Sequence, residues 1–122
     1  MTSGNRTWAE QNALYAQGRS QPGARVTNAR GGQSNHNFGI AGDFSVFQGK
    51  IYLEEGDAVG GTAARRELAA RVHKACSLHA AECGLEWGGS WKSIKDLPHY
   101  QLETKLTLGE MNKIFREKGT VL

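Results

Sequence analysis

Apolar and polar positions change rhythm several times along this chain. From Ile40 the order has a two-residue period: Ile40, Gly42, Phe44 and Val46 fall on one side, Ala41, Asp43, Ser45 and Phe47 on the other. That alternation predicts a strand. Gln48-Gly49 is a plausible hairpin turn, and the chain returns through Ile51, Tyr52 and Leu53. After the break at Gly60-Gly61, a helix is predicted over about Thr62 to Glu82, closed by Gly84. At about 100° per residue, Ala64, Leu68, Val72, Ala75 and His79 share its apolar face, and Arg66, His73 and Lys74 point away.

Thr7-Trp8-Ala9-Glu10 reads as a capping box at the start of an earlier helix of about ten residues, with Trp8, Leu14 and Tyr15 as its apolar surface and an end near Gly18. Gln21-Pro22-Gly23 reads as a turn, Arg25 to Ala29 as a short strand, and Gly31 to Asn37 as loop. Pro98 cannot sit inside a helix, so Asp96 to Leu102 reads as a loop feeding a strand. Thr107-Leu108-Gly109-Glu110 is a second capping box, opening a helix with a stripe of Leu108, Met111, Ile114 and Phe115 that stops at Gly119. The sum is an α+β fold, helices on a small and mainly antiparallel sheet. At 122 residues it is expected to be a single domain, 1–122, and a monomer.

Charge and cysteines narrow the classes of function. Fifteen Lys and Arg against twelve Asp and Glu give a formal charge of +3. That mild excess favours approach to an anionic polymer, bacterial wall included, or serves ordinary solubility. No dense basic run with interleaved aromatics supports a nucleic-acid groove. The apolar stretches are short and interrupted by charge, so no stable membrane association is expected, and Met1 to Arg6 holds no signal-peptide core. The expectation is a soluble chain made in the cytoplasm. Cys76 and Cys83, seven apart in one helix, stand roughly 10 Å apart along its axis, too far for a disulfide. They read as free, partly buried thiols.

Candidate chemistry rests on few residues. Catalytic zinc takes three imidazole or carboxylate ligands and leaves a fourth position open. Among four histidines, His36 precedes the strand acid Asp43 by seven residues, and His99 stands immediately before another short strand. Asp96, three residues before His99, is a carboxylate available to move protons. Singly these signals are weak: an Asp three residues before a His is common, and Asp96 alone reads equally as a turn residue.

Together with their surroundings they are specific. Ser34-Asn35-His36-Asn37-Phe38-Gly39-Ile40-Ala41-Gly42-Asp43 closely resembles the SxHxxGxAxD motif of the D-alanyl-D-alanine peptidase-like zinc peptidases. Asp96-Leu97-Pro98-His99-Tyr100-Gln101-Leu102 resembles that family's second motif, Leu85-Glu86-Trp87-Gly88-Gly89 with Trp91 the stretch before it, and Arg6-Thr7 with Glu10-Gln11 its amino-terminal signature. The subgroup most similar is that of the L-alanyl-D-glutamate peptidases of phage endolysins and related wall hydrolases.

The resemblance implies a hedgehog/DD-peptidase-like fold and one Zn²⁺ on His36, Asp43 and His99. Asp96 would be general acid/base, and Arg6 would sit on the substrate carbonyl or oxyanion. The expected substrate is the stem peptide of peptidoglycan, reached after release from the cell. The same residues would serve a D-alanyl-D-alanine carboxypeptidase, and a catalytically silent wall- or zinc-binding module is the rival from another class. The chain starts at Met1-Thr2-Ser3-Gly4, without the helix and strand that the family usually places ahead of the arginine motif, so a shortened amino-terminal edge is expected.

Other residues carry blander readings. His73 is expected to face solvent and His79 to be a core residue; neither is a ligand candidate. Trp87 and Trp91 fit core packing or the wall of a substrate groove equally well. Ser34 is expected to brace the His36 loop by hydrogen bonding, close to bound substrate, and it lacks the partner base of a nucleophile. Gly31-Gly32 lacks the strand-to-helix setting of a phosphate loop.

Overall fold

A computed structural model describes residues 1–122. The order is helix α1 (Trp8–Ala16), a 3-10 turn (Asn35–Phe38), strands β1 (Ala41–Asp43), β2 (Phe47–Gln48) and β3 (Ile51–Tyr52), helix α2 (Ala63–Glu82), strand β4 (Leu85–Trp87), a 3-10 turn (Gly88–Ser90), strand β5 (His99–Leu102) and helix α3 (Leu108–Lys118). The fold is α+β. No helix is long and apolar enough to cross a membrane. The chain divides into two compact units, one of Met1–Thr2 with Gly42–Glu103, the other of Ser3–Ala41 with Thr104–Leu122.

The first unit is built on a three-stranded sheet in the order β1-β5-β4. β4 and β5 are antiparallel, with Leu85 opposite Leu102, Glu86 opposite Gln101 and Trp87 opposite Tyr100. The strand predicted from Ile40 is shorter than its alternation: after Asp43 the Phe44 amide bonds the Pro98 carbonyl, and the chain leaves the sheet. The alternation resumes as the β2–β3 hairpin, whose turn passes through Gly49 at φ 62°, a left-handed value that favours glycine.

Helix α2 packs on β4 and has the predicted Thr62 cap, whose hydroxyl accepts from the Arg65 amide. Its buried face is not the predicted one. Ala69 and His73 are buried, whereas Val72 and Leu78 are exposed and His79 lies in solvent beside Glu82. The helix mixes alanine with charged residues around its whole circumference, so the apolar contrast was too weak to orient it. What fixes it is a buried network: His73 Nε2 meets Glu54 Oε1 at 3.0 Å, and the Tyr100 hydroxyl donates to the His73 carbonyl at 3.1 Å. Cys76 and Cys83 are free, as expected, and exposed rather than partly buried.

The second unit centres on aromatic packing. Phe115 of α3 meets the edge of Phe38 at 5.7 Å between centroids and lies alongside Trp8 at 6.5 Å. Met111 is buried beneath them, while Leu108 at the helix start is exposed. Both predicted capping boxes are formed, Thr7 with Glu10 and Thr107 with Glu110. The strand expected over Arg25 to Ala29 is absent. Side chains take its carbonyls instead: Gln11, fully buried, donates to the Ala29 oxygen at 2.8 Å, and Arg19 donates to the Thr27 oxygen at 3.0 Å.

Candidate metal centre

His99 opens β5 and is 7% exposed. Its Nδ1 lies 3.1 Å from Asp43 Oδ1 at the end of β1, and its Nε2 lies 2.9 Å from Gln101 Oε1. Burial works against the charged imidazolium, but the hydrogen bonds to Asp43 and Gln101 and the charges of Asp43 and Asp96 outweigh it and raise the pKa of the ring. Two ligands of one zinc at about 2.0–2.1 Å, subtending a tetrahedral angle, stand about 3.3 Å apart. The 3.1 Å between Asp43 Oδ1 and His99 Nδ1 is close to that spacing, so this pair fits two corners of a zinc site.

His36 belongs to the second unit, in the 3-10 turn, and is 5% exposed. Its Nδ1 is 2.9 Å from the Gly4 carbonyl, which only accepts, so Nδ1 donates there and Nε2 is the nitrogen that could bind a metal. The backbone around it is equally tied. The Arg6 amide donates to the His36 carbonyl at 3.0 Å, and the buried Asn37 side chain donates to the Arg6 carbonyl at 2.8 Å. Gly39 ends the turn at φ 72°, with its amide returned to the carbonyls of Asn35 and His36. Two imidazoles and a carboxylate, as His36, Asp43 and His99 supply, are the donor types of a catalytic zinc site.

Asp96 is exposed, on the loop before β5. Its amide donates to the Gly88 carbonyl at 3.1 Å, and its carbonyl accepts from the His99 amide at 3.2 Å, which fixes it against the start of the strand. Gly88 is required by space: a Cβ there would fall 2.5 Å from the Asp96 carbonyl oxygen and 3.1 Å from the His99 Cβ. Arg6 is half-buried, and its guanidinium donates to Gln11 Oε1 and Ser3 Oγ, each at 2.8 Å.

The remaining candidates have local partners. Trp87 Nε1 donates to the Leu97 carbonyl at 2.8 Å, which ties the Asp96 loop to β4. Trp91 Nε1 donates to Glu86 Oε1 at 2.6 Å, and its ring lies 5.1 Å from that of His99. Ser34 caps the 3-10 turn without a side-chain cap bond; its carbonyl receives the Asn37 amide at 2.9 Å. The sequence reading assigned no role to Gln101 or Glu86. The available signal was strand geometry, since residues 99 and 101 share one face of β5 and Glu86 stands directly opposite Gln101.

Comparison with known proteins agrees with these motifs. A family model described as D-alanyl-D-alanine carboxypeptidase matches residues 27–102. The chain is 39% identical over 104 residues to the peptidoglycan L-alanyl-D-glutamate endopeptidase CwlK of Bacillus subtilis, a match covering 84% of this chain and 59% of that protein. The chain therefore spans somewhat over half the length of this relative. The crystal structure of the L-Ala D-Glu endopeptidase ChiX of Serratia marcescens is 28% identical, with a TM-score of 0.44 over 95% of this chain and 66% of the other. The chain belongs to the D-alanyl-D-alanine carboxypeptidase family of M15 peptidases.

Proposed function

We propose that this protein is a zinc-dependent peptidase that hydrolyses the L-alanyl-D-glutamate bond of peptidoglycan stem peptides, with the ion held by His36, Asp43 and His99. The observation that carries the reading is the Asp43–His99 pair, whose 3.1 Å spacing suits two ligands of one ion in a chain of this peptidase family. Its likeness to CwlK supports the choice of bond. Bound there, zinc supplies Lewis acidity, which polarises a carbonyl and acidifies water.

The protein's own groups do the rest. Asp96, exposed on a loop held to Gly88, takes the proton of the attacking water and passes it to the departing amine. The Arg6 guanidinium, held by Gln11 and Ser3, offers its positive charge to the substrate carbonyl as that oxygen becomes an oxyanion. Trp91, Trp87 and Ser34 would border the bound peptide. We read the protein as a monomer that acts on the wall after release, as endolysins do, and its net charge of +3 favours approach to anionic wall polymers.

Mass spectrometry of muropeptides after digestion tests the assignment. Products cut between L-alanine and D-glutamate are expected. Loss of terminal D-alanine alone would favour a carboxypeptidase instead, a reading that the family description supports. His36→Ala should lose zinc and activity together. Asp96→Ala should keep zinc and lose turnover by about 10²- to 10⁴-fold; wall lysis at the parental rate by this variant would remove Asp96 from the chemistry.

A further inference from the structure

The side chains behind His99 form a directed chain. His99 Nε2 meets Gln101 Oε1 at 2.9 Å, Gln101 Nε2 donates to Glu86 Oε2 at 3.0 Å, and Trp91 Nε1 donates to Glu86 Oε1 at 2.6 Å. The sheet sets this up: Gln101 is two residues from His99 on the same face of β5, and Glu86 is its cross-strand partner on β4.

We propose that Glu86 and Gln101 are positioning residues that hold a hydrogen-bond acceptor on His99 Nε2 and so direct its Nδ1 to zinc. The inference rests on the zinc-peptidase reading above. A carboxylate only accepts hydrogen bonds, so Glu86 obliges the Gln101 amide to turn its NH₂ toward β4 and its oxygen toward His99. That oxygen also only accepts, so it holds the Nε2 proton that a ring bound to zinc through Nδ1 must carry. Nδ1 is the nitrogen that faces Asp43. Turned the other way, the amide would present its NH₂ to Nε2. Donor would then face donor, and a ring ligating through Nδ1 would have no acceptor there for its Nε2 proton. Metal-binding histidines are commonly oriented by a carboxylate on their second nitrogen; here the carboxylate acts at one remove, through an amide. Trp91 holds the other carboxylate oxygen and lays its ring against His99.

The test exchanges the polarity of the chain. In Glu86→Gln, the Trp91 N–H still finds an oxygen, but an NH₂ now faces the NH₂ of Gln101, and the Gln101 amide turns over. Zinc affinity, measured by competition with a chromogenic chelator, should fall about 10- to 100-fold, as for other outer-shell partners of zinc ligands. The double variant Glu86→Gln with Gln101→Glu places a carboxylate directly behind His99 and an amide behind that, and should recover most of the loss. Circular dichroism and thermal unfolding check that all three are folded. Equal zinc affinity in parent and Glu86→Gln, or a double variant no better than the single, would overturn the inference while leaving the zinc-peptidase reading intact. A parent protein that binds no zinc would remove both.

Discussion

The two histidines proposed as ligands are held by different means. His99, in the unit built on the sheet, is oriented by side chains: Asp43 on one nitrogen, and Gln101 backed by Glu86 and Trp91 on the other. His36, in the unit built on Phe38 and Phe115, is oriented by main chain: the Gly4 carbonyl on its Nδ1 and a 3-10 turn locked by Arg6, Asn37 and Gly39. A histidine held by side chains can be retuned by substituting them without disturbing the fold. A histidine held by a carbonyl cannot, because no side-chain replacement at Gly4 removes that oxygen. Changes near His36 should therefore register as stability, and changes near His99 as metal affinity.

The sharpest exception to that division should be Gly88→Ala. The new methyl would lie 2.5 Å from the Asp96 carbonyl oxygen, a backbone atom, so the loop must shift. A loss of about 3 kcal/mol in urea unfolding is expected, together with lower turnover, since Asp96 moves with its backbone. An unchanged midpoint would mean that this loop gives way freely. Next is Asn37→Ala. The buried amide accepts from the Gly32 amide at 2.9 Å and donates to the Arg6 carbonyl, so its removal leaves both backbone groups without this partner. A loss of about 2 kcal/mol is expected from unfolding curves. Zinc affinity should stay within a few-fold of the parent; a larger loss would collapse the distinction drawn above.

The gentlest effect belongs to the sheet's own core. Burial first, and then the charges of Cys76 and Glu54, push the Tyr100 phenol up to about 12 from its ordinary 10. The unfolded chain therefore gives up this proton first. It holds fewer protons than the folded chain between about pH 10 and 12, and stability falls as pH rises through that window. Chemical denaturation at stepped alkaline pH should show the fall, and Tyr100→Phe should reduce its slope. If one tyrosine does not ionise later than the others in an absorbance titration of the folded protein, the assignment fails.

Much of this molecule was legible in the chain because it depends on near neighbours. Both capping boxes, the turn at Gly49, the end of α2 at Gly84 and the entry of Pro98 into β5 follow from backbone chemistry within a few residues. The motif around His36 and Asp43, and that around Asp96 and His99, are likewise local and legible through their resemblance to a peptidase family, and the family match covers both. The orientation of α2 was not. An alanine-rich helix offers little contrast between its faces, and His73 is buried because Glu54 and Tyr100, distant in sequence, satisfy its polar atoms. The absent strand at Arg25 to Ala29 has the same cause: its carbonyls were claimed by Gln11 and Arg19 from another segment. Sequence alone thus determined where helices start, where turns fall and which residues match the family's motifs. Only the tertiary structure decided which groups face the ring nitrogens of each histidine, because those partners are brought from elsewhere in the chain.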